Sequence, residues 1–185
     1  MNFNLHPIFV HFPVALLTVY ALMELVRWRK VNGQIYWFYV KACFLIIGGL
    51  GSLAALWTGD MAKSSVRAGD FHVSIPNFNQ VVSTHENFAD LSVAIFGLLA
   101  VSYLIVWLSH ENFVKVFGSN LSLQKFWSKF SKIAHFIAES RLVIFLALAG
   151  LVCITITGGL GGVMVYGPTA DPFFGAVYHL LFPGQ

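Results

Sequence analysis

Two histidines and two prolines open the first long apolar segment of this chain, in the run His6-Pro7-Ile8-Phe9-Val10-His11-Phe12-Pro13. A helix that only contacts lipid would not need imidazoles there, because ligating groups at membrane depth are uncommon and usually face the protein interior. A third histidine, His85, precedes another apolar segment. Neutral imidazole is a common ligand for haem iron and for zinc or copper. His6, His11 and His85 are therefore candidate metal ligands.

Composition indicates the class of protein. Of the 185 residues, 57% are hydrophobic and only 10% are charged, and the mean hydropathy is +0.74. A soluble domain is typically about 25% charged. So many apolar side chains could not all be hidden in a core of this size, which predicts an integral membrane protein. The net charge of +3 does not indicate nucleic-acid binding, because membrane proteins concentrate Lys and Arg in cytoplasmic loops.

Four apolar segments are long enough to cross a bilayer core of about 30 Å, which takes about 20 residues. They run approximately over Pro7–Arg27, Trp37–Thr58, Asn87–Leu108 and Leu142–Tyr166. Helices are expected because a helix satisfies its own backbone groups in lipid. The predicted fold is an all-α integral membrane four-helix bundle of two helical hairpins, forming a single domain over residues 1–185.

The distribution of Lys and Arg predicts the orientation. Nine of the eleven cations belong to the first and third connections with their flanks: Arg27, Arg29, Lys30, Lys41, Lys115, Lys125, Lys129, Lys132 and Arg141. The middle loop holds only Lys63 and Arg67. By the positive-inside rule the first and third connections are cytoplasmic. Both termini then face outward, as does the group His6, His11, His72, His85 and His179.

The third connection contains a helical pattern of its own. Its apolar positions recur at helical spacing: Leu123, Phe126, Trp127, Phe130, Ile133, Phe136 and Ile137. Lys125, Lys129 and Lys132 occupy other faces. This pattern is typical of a basic amphipathic helix lying on the cytoplasmic membrane surface, with lipid as its partner. The alternative is a cytoplasmic extension of the fourth spanning helix.

Glycine clusters mark the second and fourth segments. The predicted cofactor-binding positions among them are Gly48, Gly51, Gly158, Gly159, Gly161 and Gly162, and Asp90 and Tyr166 complete that set. Small residues let helix backbones approach closely in lipid, and packing alone is the alternative explanation. They also leave room for a flat cofactor between helices.

Two interpretations of the histidines compete. A helix rises about 1.5 Å per residue, which places His6 level with His85, and His11 level with Asp90 roughly 7 Å deeper. In the first interpretation, His85 and one of His6 or His11 are axial ligands of a b-type haem. In the second, His11 hydrogen-bonds Asp90, and the pair fixes packing or passes protons without any cofactor.

Three smaller predictions concern local structure. Ser83-Thr84-His85-Glu86 fits a capping box, with Ser83 as the N-cap. Glu24 precedes Arg27 by three residues, which predicts a surface ion pair. Cys43 and Cys153 lie inside apolar segments and are expected to be buried, and no Cys-x-x-Cys-His for covalent haem is present.

The chain resembles a bacterial family of small four-helix membrane proteins of unknown function whose members open with HPxxVHFP. The likeness covers nearly the whole chain: the opening motif, Thr58-Gly59-Asp60, His85 and the closing Gly161-Gly162-x-x-Val165-Tyr166. Some members are fused to c-type cytochrome domains, and the resemblance therefore implies redox work. Some relatives carry a histidine where this chain has Gly159, so the resemblance leaves His6, His11 and His85 as the ligands here.

The predicted function is one-electron transfer through a b-type haem near the periplasmic face of the bacterial inner membrane. Expected partners are quinone, other membrane redox subunits or a periplasmic cytochrome. No nucleophile–base pair, phosphate loop or metallohydrolase motif is present in the sequence, which favours an electron carrier over a stand-alone enzyme. The alternatives are a non-catalytic accessory subunit of a larger membrane complex, and a proton or solute relay using Asp90 and His11.

Overall fold

The structure is a computed structural model that describes residues 6–26, 33–66, 75 and 77–184. For residues 7 and 63–66 it describes the backbone and not the side chain. It is helical, and no strand occurs among these residues. The helices are α1 His6–Leu25, α2 Ile35–Val66, α3 Phe78–His110, a short 3₁₀ helix Phe113–Phe117, α4 Leu121–Glu139, α5 Leu142–Tyr166 and α6 Pro172–Leu181. Outside the described part lie His72, Arg27, Arg29, Lys30 and Arg67, together with the side chain of Lys63.

Four of the described helices, α1, α2, α3 and α5, are long and apolar enough to cross a membrane. This is the architecture of a multi-pass membrane protein. α1 packs against α2 and α3 packs against α5, and further contacts join α2 to α3 and α1 to α5. The interior between them is filled by buried side chains such as Tyr20, Leu45, Phe96 and Tyr103.

Two spanning helices are longer than the hydropathy of the sequence predicts. α2 continues past Thr58 to Val66, and α3 begins at Phe78 rather than Asn87. Hydropathy marks the part of a helix that lipid can cover, whereas backbone hydrogen bonding continues into polar residues until a turn stops it. For α3 that turn is Asn77, whose φ of 53° is left-handed.

The capping box predicted at Ser83 is therefore wrong. Ser83 lies inside α3, and its hydroxyl donates to the Gln80 carbonyl at 3.1 Å instead of capping a helix start. A serine inside a helix commonly bonds a carbonyl of the preceding turn in this way. The prediction of two buried thiols is also wrong in part, since Cys153 is buried and Cys43 is exposed on α2.

α4 is a separate helix beside the last turns of α3. Ser140 adopts an extended conformation (φ −78°, ψ 171°) between Glu139 and α5, so α4 is not a continuation of α5. Ala134 and Ala138 are buried on the bundle side of α4. The Ser131 hydroxyl lies 2.9 Å from that of Ser109 on α3.

α6 covers the opposite end of the bundle, against α5. Its Val177 and Tyr178 join a second buried cluster with Val81 of α3 and with Leu160 and Val163 of α5. Asp171 caps the helix, because its carboxylate accepts from the Phe173 amide at 2.8 Å.

Candidate functional site

The start of α1, the end of α2, the start of α3 and the end of α5 meet at one end of the bundle, which we call the histidine end. His6 and His85 are placed there by α1 and α3. The opposite end, which holds Glu24 at the close of α1, we call the Glu24 end. The two ends carry different polar groups.

His85 is bound to the neighbouring helix α5. Its Nδ1–H donates to the backbone carbonyl of Thr157 at 2.9 Å. Gly161 stands one helical turn after Thr157, and a Cβ built there would lie 3.5 Å from His85 Cε1. The imidazole thus lies against α5 at this glycine, at a distance that is ordinary van der Waals contact for an added Cβ. With the proton on Nδ1, the lone pair of the neutral ring is on Nε2.

His6 is bound to α2 in a similar manner. The Thr58 hydroxyl donates to the carbonyls of Ala54 (3.0 Å) and Ala55 (3.1 Å), and its oxygen accepts from His6 Nδ1–H at 3.2 Å. The ring lies close to Gly59, where a Cβ would be 3.1 Å from His6 Cε1. Burial lowers the pKa of His6 below its ordinary value of 6.5, and a hydrogen bond with the Ala55 backbone opposes part of that change.

The two imidazoles belong to the same end of the bundle, His6 at the start of α1 and His85 near the start of α3. The interior around them is polar. Thr58 is buried beside His6, and the hydroxyl of Thr157 is buried without a hydrogen-bond partner among the described residues. Most buried polar atoms have a partner, so this hydroxyl is unusual. The histidine end therefore holds two oriented imidazoles in a polar interior.

His11 and Asp90 do not join this group. Both side chains are exposed, His11 on α1 and Asp90 on α3. His179 is likewise exposed, on α6. The depth estimate from sequence did not include the rotation of the helices, which turns the side chains of His11 and Asp90 outward.

Most of the candidate glycines lie against side chains of neighbouring helices. Gly48 faces Leu17 and Gly51 faces Pro13, so these two bring α1 and α2 together. Gly159 lies against Val177 and Gly162 against Phe174, both of α6. This geometry matches the packing alternative for these four.

The two remaining glycines differ from the other four. Gly161 faces His85, and a Cβ on Gly158 would meet nothing within 4 Å. Tyr166 is exposed and stacks on Phe174 with the rings nearly parallel. Of the predicted cofactor positions, Gly161 is thus the one that contacts a candidate ligand.

The donor set at the histidine end suits one kind of metal better than another. No group of three or more His, Cys, Asp or Glu side chains that could hold a metal ion occurs among the described residues. A structural zinc site needs four such ligands. A haem needs only axial ligands from the protein, and a pair of imidazoles provides both. The residues present therefore fit a haem iron by donor chemistry.

A second polar cluster, which sequence reasoning missed, lies at the Glu24 end. Glu24 is 2% exposed, and its two carboxylate oxygens lie 3.0 and 3.1 Å from Lys41 Nζ of α2. The Tyr103 hydroxyl of α3 donates to the same carboxylate in a short hydrogen bond. Glu24 is therefore buried rather than on the surface as predicted, and its predicted partner Arg27 lies outside the described residues. Glu24 faces the interior, where Lys41 neutralises it.

The sequence did contain a signal for this cluster. Glu24 and Lys41 both lie inside apolar segments, and a charged residue in such a segment usually pairs with another one. Because Lys41 was counted among the cations that flank a cytoplasmic connection, its pairing with Glu24 was not predicted. The hydroxyl of Tyr20 is also buried in this cluster, near Tyr103 and Glu24, and its ring packs edge-on against that of Tyr103.

Comparisons with protein-family models, with curated proteins and with solved structures find no match to this chain.

Proposed function

We propose that this chain is a one-electron carrier of the bacterial inner membrane, or a redox subunit, with a b-type haem at the histidine end. His85 and His6 are the proposed axial ligands, and His11 is the alternative partner of His85. The observation that carries the proposal is the pair of imidazoles from α1 and α3, both held through Nδ1. Ligating histidines commonly donate their other ring N–H to a carbonyl or another acceptor in this way.

A haem held by two imidazoles supplies reversible one-electron chemistry at six-coordinate iron. The protein's own residues orient the donors. The Thr157 carbonyl fixes the tautomer and the ring plane of His85, and Thr58 does the same for His6. Gly161 lies beside the His85 ring. Both rings are half-buried, and the reduced access of water to them would help to set the reduction potential.

The charge distribution supports an orientation with the histidine end in the periplasm. Lys41 pairs with Glu24 and no longer counts toward the loop charge, yet eight of the ten other Lys and Arg still belong to the first and third connections of the sequence with their flanks, and the third connection begins at the Glu24 end. By the positive-inside rule that end is cytoplasmic, and both termini are periplasmic. The haem would then exchange electrons with quinone, another membrane subunit or a periplasmic cytochrome.

The exposed apolar side of α4 supports an interfacial position for this helix. Phe126, Ile133 and Phe136 are each more than half exposed. Such side chains are unfavourable in water and favourable at the boundary between headgroups and acyl chains. In the proposed orientation, α4 lies on the cytoplasmic membrane surface.

The visible spectrum of the purified protein tests the proposal. Protein from haem-replete cells should show a Soret band, and reduction should produce an alpha band. His85→Ala and His6→Ala should each lose most of that absorbance. His179→Ala, which alters an exposed histidine at the same end, should retain it. A colourless wild-type protein, or a spectrum unchanged by both ligand substitutions, would refute haem binding.

A second candidate function is a non-catalytic accessory subunit of a larger membrane complex. It is favoured by the contacts of Gly48, Gly51, Gly159 and Gly162, which place neighbouring side chains where a cofactor would need space. A colourless protein that co-migrates with other membrane proteins on native gels would support this function. A haem spectrum would show that an accessory role alone does not account for this protein.

A further inference from the structure

A cavity of about 280 Å³ lies at the Glu24 end, between the end of α3, the 3₁₀ helix and α4. Its lining residues are Ser109, Asn112, Val114, Gln124, Trp127, Ser128, Ser131 and Lys132. Trp127 and Ser131 are half-buried, whereas Asn112, Ser128 and Lys132 are exposed. The cavity is thus reached from the polar side of α4.

The lining is rich in hydrogen-bond donors and contains no carboxylate. The Ser109 hydroxyl donates to the Ile105 carbonyl, and the Gln124 amide donates to the Gly118 carbonyl. The side chains of Asn112, Ser128 and Lys132 make no hydrogen bond to any described residue. An ammonium, a hydroxyl and an amide are therefore available to a ligand. This set matches an anionic oxygen group such as a phosphodiester.

The surrounding helix carries both charge and apolar surface. Lys125 and Lys129 are exposed on α4 near Lys132, while Phe126 and Phe130 are exposed on another side of the helix. The segment from Ser109 to Arg141 holds five cations, Lys115, Lys125, Lys129, Lys132 and Arg141, against two carboxylates, Glu111 and Glu139. The net field around the cavity is therefore positive. Juxtamembrane clusters of this kind attract anionic lipids.

We propose that this cavity binds the headgroup of an anionic phospholipid from the adjoining leaflet. The phosphate oxygens accept from Lys132 and Ser128, and Asn112 contacts the hydroxylated part of a glycerol headgroup. Trp127 and Val114 form the apolar wall along which the lipid leaves the site. The exposed Phe126 and Phe130 contact the acyl region, as expected for an amphipathic helix at the interface.

A lipid headgroup matches this cavity better than a soluble anion does. Trp127 and Val114 give the cavity an apolar wall, which an inorganic phosphate cannot use. The cavity also lies directly beyond the end of the spanning helix α3, whose last residue is His110. Headgroups are concentrated at that level of a membrane protein. The proposal does not depend on haem binding at the histidine end.

Native mass spectrometry of the full chain in detergent tests the proposal. Phosphatidylglycerol and phosphatidylcholine with identical acyl chains are titrated separately. Wild-type protein should retain one phosphatidylglycerol and little phosphatidylcholine. Lys132→Gln should weaken phosphatidylglycerol binding about tenfold, because a charge-assisted hydrogen bond is lost. The matched control Lys125→Gln removes the same charge from the same helix outside the cavity, and should change binding about twofold or less.

Two further measurements separate the explanations. Ser128→Ala should weaken phosphatidylglycerol binding by a few fold without changing phosphatidylcholine binding. Free glycerol 3-phosphate should not displace the lipid, and displacement would instead indicate a soluble anion as the ligand. Equal retention of both lipids, or equal losses in the two lysine variants, would overturn the proposal in favour of a diffuse surface charge. Circular dichroism of each variant checks that the helices are intact.

Discussion

The carboxylate of Glu24 and the ammonium of Lys41 meet in the interior of the bundle, with oxygen–nitrogen distances of 3.0 and 3.1 Å. The Glu24 side chain is 1% exposed and the Lys41 side chain is 13% exposed. The pair joins α1 to α2, and Tyr103 extends it to α3. Three spanning helices therefore share one ionic cluster.

Breaking this pair from one side should be strongly destabilising. Lys41→Met leaves the Glu24 carboxylate buried without its counter-charge, which typically costs about 3–5 kcal/mol. The double variant Glu24→Gln/Lys41→Met removes both charges and should recover most of that loss. Unfolding of each variant in mixed detergent micelles measures the effect. A double variant as unstable as the sum of the two single variants would show that the charges do not act as a pair.

Tyr103 and Tyr20 provide a matched comparison within the same cluster. Tyr103→Phe removes the hydroxyl that donates to Glu24, and a hydrogen bond to a charged group is worth about 1.5–3 kcal/mol. Tyr20→Phe removes a buried hydroxyl that lies near Tyr103 and Glu24 without a close hydrogen bond to either. It should therefore cost less than Tyr103→Phe. The same unfolding assay compares them, and equal losses would contradict the assigned bonding.

How well the sequence predicts the bounds of a helix depends on which residues end that helix. The bounds Leu142–Tyr166 follow from hydropathy because Arg141 and Gly167 flank that segment. The end of α2 and the start of α3 did not follow from hydropathy, since the polar turns there continue the helix without changing its hydrogen bonding. Hydropathy indicates which part of a helix lipid can cover. Where a helix begins or ends depends on local turn chemistry, such as the left-handed conformation of Asn77 before α3.

For the candidate site, the sequence did not determine the direction in which the side chains point. His6 and His85 were expected at one level, and that level and their role as ligands stay predictions. The outward orientation of His11 and the bonding of Glu24 to Lys41 depend on helix rotation. A rotation of one residue position, about 100°, turns a side chain from the interior to lipid. Apolar residues on every side of these helices leave that rotation undetermined by pattern.

Close packing of α3 on α5 predicts a sharp difference between two glycines. A Cβ on Gly150 would lie 2.6 Å from the Phe96 ring, whereas a Cβ on Gly158 would meet nothing within 4 Å. Gly150→Ala should destabilise by about 1–3 kcal/mol through overpacking. Gly158→Ala should be neutral or stabilising by up to about 1 kcal/mol, because alanine favours the helix. Unfolding in detergent micelles distinguishes the two, and a harmless Gly150→Ala would contradict the packing described here.

The lowered pKa of His6 predicts a pH dependence of stability at the histidine end. Burial lowers the folded-state pKa below the unfolded value of 6.5, so the unfolded chain binds the proton more readily. The contribution of His6 is therefore fully present above pH 6.5 and is lost as the pH falls through the lower folded-state value. Wild-type protein should lose thermal stability between about pH 7.5 and pH 5, and His6→Gln should lose less over the same range.

His179→Gln is the matched control for this pH effect, because His179 is exposed on α6 and the substitution removes an equivalent imidazole. It should keep the wild-type pH dependence. Thermal unfolding of the three proteins at each pH, followed by circular dichroism, gives the comparison. Identical pH profiles for wild type and His6→Gln would mean that His6 takes up a proton as readily in the folded chain as in the unfolded one. In that case the partial burial of the His6 ring would not disfavour its protonated form.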